Sequence, residues 1–387
     1  FAVYTPAIPK DFGEFVYLMQ KKVPLLKRAQ VLGMISGGHK TLAVAGTHGK
    51  TTTSSILAHL FVAAQADITA FLGGICQNFS SNFVAGTSDS IMVVEADEFD
   101  RSFLHLNPYG AVITSMDADH LDVYGSHQNM IESFSQFASL IDEDGYIVLK
   151  KGLELNKLPL AHVVTYSSDE SLSADVNACN IRIENNLQCF DIKGIFNIEG
   201  IKCGLPGLHN IENATAAITL ALLNGLPEQY VKPAIESFKG VKRRFEYKFR
   251  SEEVTLIDDY AHHPEELKAC ILAAKQLFPS KEIIGIFQPH LYSRSRDFAQ
   301  GFADSLSLLD HAYLLDIYPA RELPIPGITS SMIADLMREP KAQLITKEGA
   351  LNIVGLIEDG VVIFMGAGDI DQLLAPAVNV LEQKRKK

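Results

Sequence analysis

The run Gly46-Thr47-His48-Gly49-Lys50-Thr51-Thr52 holds residue types that bind a triphosphate. Glycines let the backbone curl so that successive N–H groups point at phosphate oxygens, and a helix N-terminus behind them adds its positive dipole end. Lys50 supplies a point charge for the β and γ phosphates, and the Thr51 hydroxyl suits Mg²⁺. A strand predicted over 41–45 precedes the run and a helix predicted from about Lys50 to Ala64 follows it. That context separates a phosphate loop, here for ATP, from a plain strand-to-helix turn.

Two further acidic stretches follow apolar strands. Ile91-Met-Val-Val-Glu95-Ala-Asp97-Glu98 delivers carboxylates at a strand's C-terminal end, where open α/β sheets bind ligands and where a hard cation finds oxygen donors. Glu95, the first of them, is the expected metal ligand, while Asp97 and Glu98 equally suit the acids that favour a helix start. In Thr114-Ser-Met-Asp117-Ala-Asp119-His120-Leu-Asp122 a histidine is crowded by three acids at another strand end, a clustering typical of functional sites.

The elements that must position these groups alternate along the chain. Short Val- and Ile-rich runs at 91–94, 111–114 and 146–149 are separated by amphipathic stretches, the pattern of parallel strands covered by helices. Between Val163 and Cys203 short alternating segments with Asn-Asn and Lys-Gly turns predict an antiparallel insertion. Helices are expected at about 210–224 and 227–238, and after Gly240 a new set of strands begins at 254–257, 283–287, 312–315 and 361–365. The fold class is therefore α/β: a central phosphate-loop ATPase domain with a mostly parallel sheet over 39–239, then a doubly wound, Rossmann-like C-terminal domain over 240–387.

The 387 residues give a prior of two to three domains, and 47% hydrophobic with 21% charged residues is a globular composition. A net charge of -12 argues against nucleic acid as a partner. The basic tail Lys384-Arg385-Lys386-Lys387 reads as a solvated end. Five cysteines without C-x-x-C spacing predict neither a disulfide framework nor a zinc site and fit a reducing cytoplasm. There is no apolar run of about 18 residues to span a membrane and no signal peptide. The chain starts at Phe1 rather than methionine, and the expectation is that its natural N-terminus is missing.

Taken in order, the motifs at 46–52, 95–98 and 117–122, with Leu205-Pro-Gly-Leu-His-Asn-Ile-Glu-Asn-Ala-Thr215, resemble the Mur ligases. Arg243-Arg244-Phe245, Asp258-Asp259-Tyr260-Ala261-His262-His263-Pro264 and Gln288-Pro289-His290 extend the resemblance over nearly the whole chain. It implies ATP-dependent joining of L-alanine to the lactyl carboxylate of UDP-N-acetylmuramate in cell-wall precursor synthesis, in the cytoplasm, by a monomer or homodimer. It implies two Mg²⁺ ions, with Mn²⁺ as the alternative: Thr51 and Glu95 on one, His120 on the second. Lys50 and Arg244 would contact phosphates, His209, Asn210 and Asn213 the adenine, and Asp259 the ribose. Tyr260, His262, His290 and Arg294 would line the amino-acid pocket. For Asn210 and Asn213, three apart and so on one helical face, helix capping remains an alternative, and for His263 packing beside Pro264 stands level with function.

The chain departs from the family pattern in three places. Leu291 stands where many relatives carry arginine, leaving Arg294 to act alone or with Arg296. No lysine occurs between Asp122 and Ile141, so the carbamylated lysine of other Mur ligases is not carried over. Residues 1–38, with Tyr4-Thr-Pro-Ala-Ile-Pro9, resemble only the end of the family's N-terminal UDP-binding domain, whose glycine fingerprint is absent. The Gly366-Ala-Gly368-Asp369 turn lacks the third glycine and reads as a tight strand-to-helix turn.

Overall fold

The computed structural model describes residues 1–5, 8–9, 11–118, 121–157, 159–184, 187–320 and 322–385. Two compact units emerge, one of residues 1–204 with 209–240 and one of residues 205–208 with 241–387.

In the first unit a ten-stranded sheet runs in the spatial order Ile198–Cys203, Leu187–Gly194, Val176–Glu184, His162–Ser167, Tyr146–Lys150, Gly110–Ile113, Lys40–Ala45, Ile91–Glu95, Ile68–Cys76, Ser81–Val84. Leu42, Ala43, Val44 and Ala45 are fully buried, as a parallel strand covered on both faces requires. This strand pairs in parallel with Ile91–Glu95 on one side and Gly110–Ile113 on the other, with Val44 opposite Glu95 and Ala45 opposite Ile113. The chain passes from one flank to the other across this strand, so the phosphate loop, Glu95 and Thr114 leave the sheet together at its switch point.

The antiparallel insertion is shorter than expected. His162–Ser167 pairs in parallel with Tyr146–Lys150 and with the start of Val176–Glu184, and only the meander from Val176 to Cys203 is antiparallel. Alternation in a half-exposed strand has the same period whichever way its neighbour runs. Strand Ile68–Cys76, interrupted by Gly73 and Gly74, and its antiparallel edge partner Ser81–Val84 were not anticipated. Glycines weaken the apolar signal where a backbone or ligand must come close. Instead of one helix over 227–238 there is a 3-10 turn at Glu228–Tyr230 followed by Val231–Ser237.

Residues 1–38 are grouped with this unit. The helix Arg28–Ser36 is tied down by Asn107, whose N–H donates to Ser36 Oγ and whose Nδ2 donates to Gly33 O, both at 3.0 Å. A Cβ on Gly33 would lie 2.1 Å from His105 O, which is why a glycine sits on that helix face. Phe103, stacked on Phe137 at 4.9 Å and edge-on to Phe134 at 5.2 Å, fills the core beneath.

The second unit carries six strands in the order Glu246–Arg250, Val254–Asp259, Gly360–Met365, Ile283–Phe287, His311–Leu314, Gln343–Leu344, all parallel except the first. Successive side chains alternate between two cores: Ile257, Phe287 and Ile363 face one, Leu256, Ile286 and Val362 the other. The unit is doubly wound.

Candidate functional site

Gly46 has φ 141° and Gly49 φ 79°, backbone conformations that other residues avoid. A Cβ on Gly46 would fall 2.0 Å from Thr114 Oγ1, and one on Gly49 2.6 Å from Asn213 Oδ1. The curl is braced from the next strand end. Thr47 N–H donates to Ser115 O at 3.2 Å, His48 N–H to Ser115 Oγ at 2.8 Å, and the Thr114 hydroxyl to His48 O. Asp117 N–H donates in turn to Thr47 Oγ1 at 3.1 Å. The helix Lys50–Ala63 then starts with no side-chain cap, so its first-turn N–H groups remain available to an anion. Thr114 and Ser115 were missed as loop supports; the only signal was their place after a strand.

Lys50 Nζ folds back onto the loop, 2.6 Å from Gly46 O and 3.2 Å from Thr47 O, and meets the Glu98 carboxylate at 3.0 and 2.8 Å. Burial alone would lower the lysine's pKa, but Glu98, Glu95 and Asp97 together raise it. The Glu98 carboxyl, 1% exposed, is pushed up to about 7 by burial against the pull of Lys50. The two acids left open by the sequence thus divide. Asp97 Oδ1 accepts from Phe99 N–H at 3.1 Å at the start of the 3-10 helix Phe99–His105, whereas Glu98 turns inward to the lysine.

Glu95 Oε2 accepts from Gly73 N–H at 2.9 Å, and a Cβ on Gly73 would lie 2.2 Å from that oxygen. Thr51 and Glu95 offer the hydroxyl and carboxylate oxygens that Mg²⁺ takes. Asp119 and His120 lie outside the described residues, and no cluster of three His, Cys, Asp or Glu fit to hold a metal occurs among the described ones. Thr52 is buried in the same helix turn.

Asn210 and Asn213 are buried in the helix Leu208–Leu223, which His209 enters half-buried. Asn213 Nδ2 donates to Asn210 Oδ1 at 3.2 Å and its Oδ1 accepts from Thr53 Oγ1 at 3.1 Å, so this side chain underlies the phosphate loop at Gly49.

In the second unit Asp259 spends both oxygens on main-chain donors, Phe245 N–H at 2.7 Å and Ala261 N–H at 2.8 Å, and burial raises its carboxyl to about 6. Both neighbouring guanidinium groups lie over the Tyr260 ring, Arg243 at 4.9 Å and Arg244 at 5.4 Å. Glu266, unanticipated, ties the cluster together: Arg244 Nη1 is 3.5 Å away, His262 Nδ1 3.2 Å, and His262 N–H donates to it at 3.0 Å. Burial, with Arg294 and Arg244 nearby, holds the His262 imidazole down to about 4, against the pull of Glu266. His290 stacks on Tyr318 and its ring lies 6.1 Å from that of His262. Arg294 is buried, whereas Arg296 is half exposed and paired with Asp297 at 2.7 Å. A neutral imidazole beside guanidinium groups, Arg294 buried and Arg244 partly exposed, suits a small carboxylate.

Neighbouring residues of this cluster make capping, main-chain and packing contacts. His263 caps the helix Pro264–Leu277 by accepting from Glu265 N–H, with its ring 4.8 Å from Phe298. Leu291 has φ 70° and donates its N–H to Tyr318 O at 2.9 Å. Gly366 and Gly368 press on Gln288, where a Cβ on Gly368 would come within 2.4 Å of its Oε1. The five cysteines are free and buried, and no helix among the described residues is long and apolar enough to cross a membrane.

Residues 44–221 match the Mur ligase middle domain and residues 243–368 the Mur ligase glutamate ligase domain. A UDP-N-acetylmuramate–L-alanine ligase of Porphyromonas gingivalis is 48% identical over 385 residues, spanning 98% of this chain and 84% of that protein. A ligase of the same name from Flavobacterium johnsoniae is 44% identical, spanning 98% and 83%. Among solved structures, a UDP-N-acetylmuramate-alanine ligase from Thermotoga maritima superposes with TM-score 0.84 at 28% identity, over 99% of this chain and 85% of that one. A murein peptide ligase from Psychrobacter arcticus, at TM-score 0.70 and 22% identity, shares the fold. Phosphate loop, switch point, doubly wound second unit and sequence identity agree that the chain belongs to the Mur ligase family.

Proposed function

We propose that this chain joins L-alanine to the lactyl carboxylate of UDP-N-acetylmuramate at the expense of ATP, a step of peptidoglycan precursor synthesis. The observation that carries the ATP part is Lys50 in the Gly46–Thr52 curl, as the first residue of a helix whose N-terminus has no side-chain cap. The choice of alanine rests on relatives of that name at 48% and 44% identity.

A lactyl carboxylate oxygen attacks the γ phosphorus and ADP leaves with the bridging oxygen. The alanine nitrogen then attacks the acyl carbon, phosphate departs with the bonding pair, and the nitrogen loses its proton as the amide forms. Two anions must meet in the first step, so charge neutralisation is the main catalytic demand. Lys50, His120 and Arg244 are the groups assigned to it. Gly46, Thr47, His48, Gly49, Thr51 and Thr52 cradle the phosphates, while His209, Asn210, Asn213 and Asp259 are assigned to the nucleoside. Tyr260, His262, His290 and Arg294 are assigned to the amino acid, with Arg294 on its carboxylate. Thr51 and Glu95 would hold one Mg²⁺ or Mn²⁺ and His120 a second, supplying further positive charge at the phosphates. Residues 39–239 then form the central ATP-binding domain and 240–387 the C-terminal Rossmann-like domain of a cytoplasmic monomer or homodimer.

Phosphate release with ATP and UDP-N-acetylmuramate, measured with L-alanine, glycine, L-serine or an alanine-headed tripeptide, tests the reading. L-alanine should be the best acceptor, and Lys50→Ala should lower alanine-dependent release by about 10³-fold or more while the protein stays folded. Preference for the tripeptide would make the chain a peptide ligase, and retained turnover in Lys50→Ala would remove the phosphate loop from the mechanism.

A further inference from the structure

The Lys50 ammonium carries three protons. Its acceptors are Gly46 O at 2.6 Å, Thr47 O at 3.2 Å and Glu98 Oε1 at 3.0 Å, with Glu98 Oε2 in ion-pair contact at 2.8 Å. Three protons facing three protein groups leave none for a phosphate, so this lysine cannot receive ATP without giving up a partner. The two carbonyls belong to the loop itself, whose curl is braced from Thr114 and Ser115. Glu98 belongs to a different segment, anchored through its main chain, where the Tyr124 hydroxyl donates to Glu98 O at 2.6 Å. Its side chain is also the one partner that carries the charge of a phosphate. Carboxylate and phosphate are therefore rivals for one cation in a buried place, where like charges repel strongly.

We propose that Glu98 is a positioning residue that occupies Lys50 in place of the nucleotide's phosphate, keeping the ammonium folded onto its own loop until ATP displaces the carboxylate. The proposal rests on the assignment of ATP to this loop. Such an internal stand-in keeps a buried cation satisfied in the empty protein, where an unpaired one would be costly. It also sets nucleotide affinity below what the loop alone could reach, because each binding event must first break the ion pair.

The sign of one measurement separates this role from a merely structural one. Binding of the β,γ-imido analogue of ATP with Mg²⁺ is measured by calorimetry on wild type, Glu98→Gln and Lys50→Ala, without the other substrates, alongside thermal melting. Displacement predicts that Glu98→Gln binds the analogue about tenfold more tightly than wild type, the scale of one charged hydrogen bond. A carboxylate that only shapes the loop predicts weaker binding on its removal. Should Glu98→Gln fail to fold, Glu98→Asp withdraws the charge by one methylene and should also tighten binding, by a smaller factor. A folded variant that binds with wild-type or lower affinity overturns the proposal. If wild type does not bind the analogue, or Lys50→Ala binds it equally well, the ATP assignment falls first and the proposal with it.

Discussion

At the phosphate loop the groups left to meet an anion are main-chain N–H groups, with one lysine held by Glu98 beside them, shaped by two glycines whose Cβ atoms would collide with Thr114 and Asn213. In the Tyr260–His290 cluster the polar groups are nearly all side chains, held by Glu266, by stacked rings and by guanidinium groups over Tyr260. The first site is a backbone shape, tolerant of changes in what surrounds it but not of an added carbon. The second is a set of partly to fully buried side-chain charges, and so exposed to pH. Charge is handled differently too: the loop joins one buried ion pair to a row of dipoles, while the cluster keeps a histidine neutral and raises two adjacent carboxyls.

The sharpest way to break this contrast is Gly46→Ala. The added methyl meets Thr114 Oγ1 at 2.0 Å on a backbone with φ 141°, so the loop must shift. A shift of about 1 Å costs on the order of 10²-fold in a positioned site, with about 1–3 kcal/mol of strain in stability. ATP-analogue affinity and urea denaturation together check this. Near-normal binding would mean the loop is not a rigid backbone shape.

Asp258 tests the other side. It is inaccessible, with Arg243 Nε 3.7 Å from its Oδ1, and burial raises its carboxyl to about 7 against the pull of Arg243. The folded protein thus holds this proton more tightly than the unfolded chain does. The group's contribution to stability is present below about pH 4 and is lost as pH rises through about 7. Asp258→Asn removes that dependence. Relative to wild type the variant should gain stability steadily over this interval, reaching about 2–4 kcal/mol at pH 8. Urea titrations at pH 5 and pH 8 read it directly, and an equal difference at both values would show that the carboxyl does not titrate there.

The smallest effect is expected at His263, whose ring caps the helix Pro264–Leu277. His263→Ala should cost about 1 kcal/mol, the usual worth of a helix cap, and leave nucleotide binding untouched. A loss above about 3 kcal/mol by thermal melting would place this ring in the buried network rather than at its edge.

Much of the fold was legible because it rests on local periodicity. Ile283–Phe287 coincides with its apolar run, and Gly360–Met365 begins one residue before its run. Ile68–Cys76 was not legible, since its glycines interrupt the run for the sake of a carboxylate reaching in from the neighbouring strand. The parallel pairing of His162–Ser167 was hidden for a similar reason, because strand direction leaves no mark on alternation.

The sequence alone determined the phosphate loop, since a glycine curl between strand and helix is a property of consecutive residues. It also determined that acids and histidines gather at strand ends. Only the tertiary structure decided which of them meet. His48 and Ser115 are 67 residues apart and Lys50 and Glu98 48 apart, brought together by the register of parallel strands. Glu98 and Asp97 are neighbours of the same chemistry, yet one steadies a turn and the other neutralises a buried lysine. That division follows from which way each side chain leaves the backbone and from how much water reaches it, and neither is written in residue type or spacing.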